Sequence, residues 1–176
     1  MFEKRQSGFT LIEMMVVIAV ISIVSAFAVP AVNGWLPDYR VKRAARELYG
    51  NLQRAKMRAV KDNAGYNINF LQGPDRYEIK LTGAAEDDPA ARTISLAGYG
   101  SGTHFGRPDN GGSEAIPESG NIQFNQFGMC MDNLGNPVVG FVYLANAQGT
   151  VHYRVGPTLA GAVLMERYNR LNKQWN

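Results

Sequence analysis

From Met14 through Pro37 the chain carries no Asp, Glu, Lys or Arg, and from Phe9 to Val29 the polar side chains are Thr10, Glu13, Ser22 and Ser25 alone. This stretch constrains the fold more than anything else in the 176 residues. A helix that is apolar on every side has no face to give to water, so it belongs inside a core or a membrane. At about 1.5 Å per residue, those 21 positions span roughly 31 Å, the thickness of a hydrocarbon core. A secretory signal peptide has a shorter apolar core with a small residue after it. Here the small residue, Gly8, precedes the apolar run, so cleavage there removes Met1 to Gly8 and keeps the helix.

Glu13 needs a physical reason, because an ionised carboxylate in a bilayer costs on the order of 3 kcal/mol on insertion scales. The nearest cation is the amine that cleavage creates on Phe9, or the same amine on a neighbouring subunit; a Glu that snorkels to headgroups is the plainer alternative. Pro30 lies within the apolar stretch and is expected to kink or loosen the helix by removing a backbone donor.

With 45% hydrophobic and 19% charged residues, the chain has material for one core, and its formal net charge of +3 is too small to point to a nucleic-acid tail. Between Asp38 and Asn63, Val41, Ala45, Leu48, Leu52, Ala55 and Ala59 recur at alternating spacings of four and three. That is the single stripe of an amphipathic helix that packs on a sheet. Arg43, Arg46, Arg54, Arg58 and Lys61 lie off the stripe, a row that suits solvent, neighbouring subunits or an anion. The period then changes to two. Tyr66 to Leu71 and Arg76 to Leu81 flank Gln72-Gly73-Pro74-Asp75 as a hairpin, and Thr93 to Ala97, Asn121 to Phe124, Val138 to Ala145, Thr150 to Val155 and Ala162 to Tyr168 are further strands. Residues 82–92 and 98–120 read as surface loops.

The run Lys4-Arg5-Gln6-Ser7-Gly8-Phe9-Thr10-Leu11-Ile12-Glu13 resembles the class III leader of type IV pilins and type II secretion pseudopilins. Three later segments resemble the GspH/FimT branch of that superfamily: Arg43-Ala44-Ala45-Arg46-Glu47-Leu48 running on to Leu52-Gln53-Arg54-Ala55-Lys56, Gly120 to Gly128, and Asn146-Ala147-Gln148-Gly149. The resemblance implies an α+β fold, with a long N-terminal helix packed by its second half on antiparallel β-sheets. Its organisation would be a cleaved leader, 1–8, a membrane and filament-core helix, 9–37, an amphipathic helix, 38–63, and a β-rich domain, 64–176. It further implies that a prepilin peptidase cuts between Gly8 and Phe9 and methylates Phe9. Glu13 then recruits the subunit by neutralising a neighbour's terminus, and the helix loosens near Pro30 on entering the filament. The implied partners are that peptidase, other pilin or pseudopilin subunits, the inner-membrane assembly platform and, before assembly, the membrane itself. The N-terminus would lie in the cytoplasm and the domain in the periplasm. That orientation comes from the processing motif, because Arg40, Lys42, Arg43 and Arg46 outweigh Lys4 and Arg5 on the positive-inside rule.

The sequence supports no enzyme and no cofactor. Gly98-Tyr99-Gly100-Ser101-Gly102 lacks the helix and Lys-Ser/Thr of a phosphate loop. Glu86-Asp87-Asp88 and the group Asp132, Asn133 and Asn136 lack the spacing of a calcium loop. His104 and His152 are too few for a His-rich metal site, and His152 has no evident catalytic partner. Cys130, the single cysteine, reads as a small buried residue. Some FimT-type minor pilins bind DNA through a basic C-terminal segment, and by that resemblance Arg167, Arg170 and Lys173, with Tyr168 and Trp175, could hold DNA weakly. Gly161-Ala162-Val163-Leu164-Met165 departs from that family's basic run, so DNA is not the favoured partner.

Overall fold

The computed structural model describes residues 8–71, 73–84, 90–100, 102–108, 120–132 and 134–176, with residues 29–31 as backbone only. The chain divides after Leu36 into two units. The first is the N-terminal part of helix α1, which runs from Leu11 to Lys61 with helical backbone continuous through Pro30. Within it the Ser22 hydroxyl donates to the Ile18 carbonyl at 2.8 Å, so this polar group is satisfied by the helix itself.

The second unit begins at Pro37 and holds the core. Along α1, Val41, Ala45, Leu48, Leu52 and Ala59 are fully buried and Ala55 nearly so, which makes the four-three stripe the inner face of the helix. The helix ends in a Schellman motif: Asn63 takes a left-handed φ of 49°, Ala64 N–H donates to the Ala59 carbonyl at 3.1 Å and Asn63 N–H to that of Val60 at 3.4 Å.

Two antiparallel sheets follow. The first is built from β1 (Tyr66–Leu71), β2 (Arg76–Leu81), β3 (Arg92–Ser95), β5 (Asn121–Phe124) and β6 (Cys130–Met131), in the order β3-β2-β1-β5-β6. The second contains β4 (His104–Phe105), β7 (Val142–Ala145), β8 (His152–Pro157), β9 (Val163–Asn169) and β10 (Gln174–Trp175), in the order β10-β9-β8-β7-β4. In the first sheet Ile68 sits between Ile79 on β2 and Ile122 on β5; in the second, Val155 sits between Val142 on β7 and Met165 on β9. Ile68, Tyr77, Ile122, Phe124, Val142, Leu144 and Val155 join the α1 stripe in one core.

The expected strands at Tyr66 to Leu71, Arg76 to Leu81 and Asn121 to Phe124 agree with β1, β2 and β5. Others shift. The strand expected through Ala97 stops at Ser95, where a 3-10 turn from Leu96 to Tyr99 buries Leu96 and directs its N–H to the Asp75 carbonyl at 2.8 Å. The strand expected from Val138 starts only at Val142, and the one expected over Thr150 to Val155 is His152–Pro157. Gly156 packs so closely on the segment before β7 that a Cβ there would lie 1.9 Å from the Gly140 carbonyl oxygen.

Residues 98–120 are not wholly a surface loop. Thr103 and Phe105 are buried, β4 pairs with β7, and Phe105 N–H donates to Asp75 Oδ1 at 3.0 Å. A turn carboxylate thus pins a distant segment to the hairpin between β1 and β2. Of the residues expected in loops, 85–89, 101 and 109–119 lie outside the described residues, as do Met1 to Ser7 of the leader, Gln72 of the first hairpin and Asn133.

Candidate assembly site

Gly8 and Phe9 lie exposed ahead of α1, and Glu13 occupies the third position of its first turn. Thr10 is the N-cap. Its hydroxyl accepts from Glu13 N–H at 3.3 Å, while Glu13 Oε2 accepts from Thr10 N–H at 2.9 Å and from the Thr10 hydroxyl at 3.0 Å. This is a reciprocal capping box, which satisfies backbone donors that a helix start leaves orphaned. Reasoning from charge alone misses this role of Glu13, although Thr10-Leu11-Ile12-Glu13 has the Thr-x-x-Glu spacing that signals it. The negative charge also sits at the positive end of the helix dipole.

Among the described residues, the helix that starts here presents a surface that its own unit leaves uncovered. None of the window from Leu11 to Ala28 is buried, and it is long and apolar enough to cross a membrane. Phe9, Leu11 and Phe27 each expose more than three-quarters of their area. Exposed apolar surface on that scale marks a membrane or assembly surface. Pro30 lies in α1, two residues beyond this window.

Near the C-terminus, Arg167 and Arg170 border one recess of about 320 Å³ with Thr150 and Asn176. Arg167 lies on β9, and Arg170 and Lys173 lie in the exposed turn to β10, where Arg170 donates to the Gly149 carbonyl oxygen. Neighbouring residues of a strand point to opposite faces, so Arg167 and Tyr168 are directed apart. The Trp175 ring is taken up by the domain: its centroid is 5.1 Å from that of Tyr168 and 5.5 Å from that of Tyr143, and the Arg154 guanidinium lies 4.9 Å away. Arg154 in turn pairs with Glu166 at 2.5 Å. The aromatic tail covers part of the second sheet.

Asp132, Cys130 and His152 each have a part in the packing or turns of the second unit. Asp132 Oδ1 accepts from Leu134 N–H and Asn136 N–H, both at 2.8 Å, and Asn136 Nδ2 donates to Oδ2 at 3.1 Å, so the carboxylate organises its own turn. The bonds from Asn136, and lesser ones from Leu134 and Gly135, hold its carboxyl below the usual range. Burial pushes the Cys130 thiol up to about 11, which leaves it protonated and unreactive at neutral pH. His152 is buried edge-on against Tyr168, with ring centroids 6.4 Å apart. Among the described residues no three His, Cys, Asp or Glu side chains form a group that could hold a metal. Glu86-Asp87-Asp88 lies outside the described residues.

Known proteins resemble this chain in both sequence and fold. Residues 4–29 match the prokaryotic N-terminal methylation motif. The chain is 33% identical over 119 residues to the type IV major fimbrial protein FimA of Dichelobacter nodosus (strain VCS1703A), covering 57% of this chain and 71% of that protein. A fimbrial protein of Pseudomonas aeruginosa is 29% identical over 116 residues, covering 57% of this chain and 73% of its own. Among solved structures, the minor pseudopilin EpsH from the type 2 secretion system of Vibrio cholerae superposes with a TM-score of 0.50 at 12% identity. That match covers 72% of this chain and 95% of EpsH, and at this identity it speaks to the fold.

Proposed function

The chain belongs to the type IV pilin-like proteins, and from that premise we propose that it is a minor pilin or pseudopilin that helps initiate or cap a filament. The observation that carries this reading is the division of the molecule into a unit whose apolar surface is unburied and a unit with a core of its own. A subunit of this design resides in the bilayer until other helices replace the lipid around it. The minor assignment rests on the GspH/FimT resemblance and on the single cysteine, which leaves no C-terminal disulfide pair. The EpsH-like fold is compatible with it.

In this proposal the chain is inserted in the inner membrane with its N-terminus in the cytoplasm and its domain in the periplasm. A prepilin peptidase cuts between Gly8 and Phe9 and methylates the Phe9 amine, placing a cation one residue from the capping box. Glu13 then serves two purposes. Thr10 satisfies Oε2 within the subunit and lowers the burden of carrying a carboxylate into hydrocarbon. The remaining charge attracts the amine of a neighbouring subunit at the assembly platform. Pro30 is the place where the helix loosens as it packs among its neighbours.

Two substitutions separate these roles. Glu13→Gln keeps an acceptor for the Thr10 bonds and loses the charge; Glu13→Ala loses both. Membrane insertion of both variants is expected to be normal, and incorporation into filaments to fall for both. Normal incorporation of Glu13→Gln overturns the charge role. A dominant band of this protein in sheared filaments overturns the minor role.

A further inference from the structure

One cluster of charge takes no part in the core or in the N-terminal site. Between α1 and the first sheet lies a recess of about 120 Å³. Arg54 and Arg58 line it from the helix and Arg92 from the start of β3, around apolar surface that includes Ala55 and Ile79. Arg54 and Arg58, four apart, lie one turn over the other, an arrangement of like charges that disfavours the helix. Lys80, next to Ile79 on β2, is directed to the other face of the sheet, where its ammonium lies 3.7 Å from Glu78. No carboxylate lines the recess among the described residues.

The recess also holds one of its cations in place. Asn51 is 2% exposed, with its Nδ2 donating to the Tyr77 hydroxyl at 2.7 Å and its Oδ1 accepting from Arg54 Nη1 at 3.0 Å. Tyr77 is itself fully buried. A buried amide anchored in the core therefore orients an exposed guanidinium before any partner arrives. Pre-set guanidinium forks favour planar, bidentate oxyanions.

We propose that this recess is a docking site for an acidic side chain of a neighbouring filament subunit, held by Arg54, Arg58 and Arg92. The inference rests on the filament-subunit reading, which supplies a protein surface opposite the domain. A carboxylate is the occupant because three arginines converge on a space that admits a protruding Asp or Glu and excludes a folded element, and because the charge is complementary.

The test uses the full processed chain in detergent micelles, with a tetraglutamate peptide and inorganic phosphate as probes. Arg58→Gln/Arg92→Gln is the test variant, since both side chains are exposed and outside the core; Arg167→Gln/Arg170→Gln is the control. Tetraglutamate binding is expected to weaken about tenfold or more in the test variant and to stay unchanged in the control. Equal binding by both overturns the site, and binding of phosphate without tetraglutamate overturns the protein partner. A third variant, Glu86→Gln/Asp87→Asn/Asp88→Asn, neutralises the acidic run that precedes Ala90 in sequence, and it is expected to bind tetraglutamate as the unaltered chain does. Tighter binding by that variant would make the chain's own acids the occupant and overturn the neighbouring subunit. In cells, the Arg58→Gln/Arg92→Gln chain is expected to insert normally and enter filaments poorly. Wild-type incorporation of it overturns this site alone, whereas failure of the unaltered chain to enter any filament overturns the subunit reading with it.

Discussion

One helix serves two environments. In its first part, from Leu11 to Ala28, no residue is buried, whereas from Val41 to Ala59 a single stripe is almost wholly withdrawn from solvent. Backbone geometry is the same in both, so the difference lies in the pattern of side chains. Apolar residues all round leave the first part to find its partners outside the chain; apolar residues at alternating spacings of four and three give the second a partner inside it. Stability is thus a property of the second unit, and assembly is the proposed property of the first.

The hardest test of that contrast is truncation on each side of it. Leu48→Ala and Leu52→Ala remove fully buried side chains and are expected to lower the unfolding free energy of the domain by about 2–5 kcal/mol each. Val17→Ala and Ile21→Ala, at positions about half exposed, are expected to leave domain unfolding unchanged when measured by denaturant titration in the same micelles. Similar losses on the two sides would dissolve the distinction.

Alkaline pH should act on the second unit next. Burial pushes the Tyr77 hydroxyl up to about 12, against a smaller opposing effect of the Asn51 hydrogen bond. A group whose ionisation is harder in the folded state contributes stability that is whole below its unfolded value, near 10, and is lost as pH rises through about 12. Stability should therefore fall across that window, and Tyr77→Phe should flatten the fall. The same variant gives up the Asn51 bond, at roughly 0.5–1.5 kcal/mol near neutral pH. An unchanged alkaline limb in Tyr77→Phe would assign the loss to other groups.

These contrasts also explain which parts of the molecule were legible in the sequence. Strands β1 and β5 could be bounded because each alternates buried and less buried residues, β2 because it pairs with β1 across a short turn, and the α1 stripe because its period is local. The two-residue strands β4, β6 and β10 have too few positions to show any period. Their place is set by distant groups, as Asp75 sets that of Phe105. The N-terminal site divides in the same way: Gly8, Phe9 and Glu13 stand out by position and charge, while the capping box shows its spacing but not its closed geometry. In the cationic recess, Arg54 and Arg58 are visible as neighbours on a helix, yet Arg92 reaches it only through the fold of the first sheet.

At the start of the helix the expected effect is smaller and local. Thr10→Ala removes the N-cap and should weaken the first turn by about 1 kcal/mol. Faster amide exchange at Leu11 to Glu13, with no change in domain unfolding, is the expected result. A shift in domain unfolding would mean that the two units are energetically coupled.

The smallest effect belongs to Asp132, at the acid end of the scale. Its carboxyl titrates below the ordinary range because Asn136 donates to it from both backbone and side chain. A depressed value contributes stability above the unfolded value, near 3.9, and that contribution disappears as pH falls through the lower folded value. The carboxylate is open to water, so solvent screens the gain. Asp132→Asn keeps an oxygen that can accept from Leu134 and Asn136 and removes only the charge, so the turn should persist while the acid limb becomes shallower. Denaturant midpoints compared between neutral pH and a pH of about 3 resolve the point. An acid limb as steep in Asp132→Asn as in the unaltered chain would place that proton uptake elsewhere in the second unit.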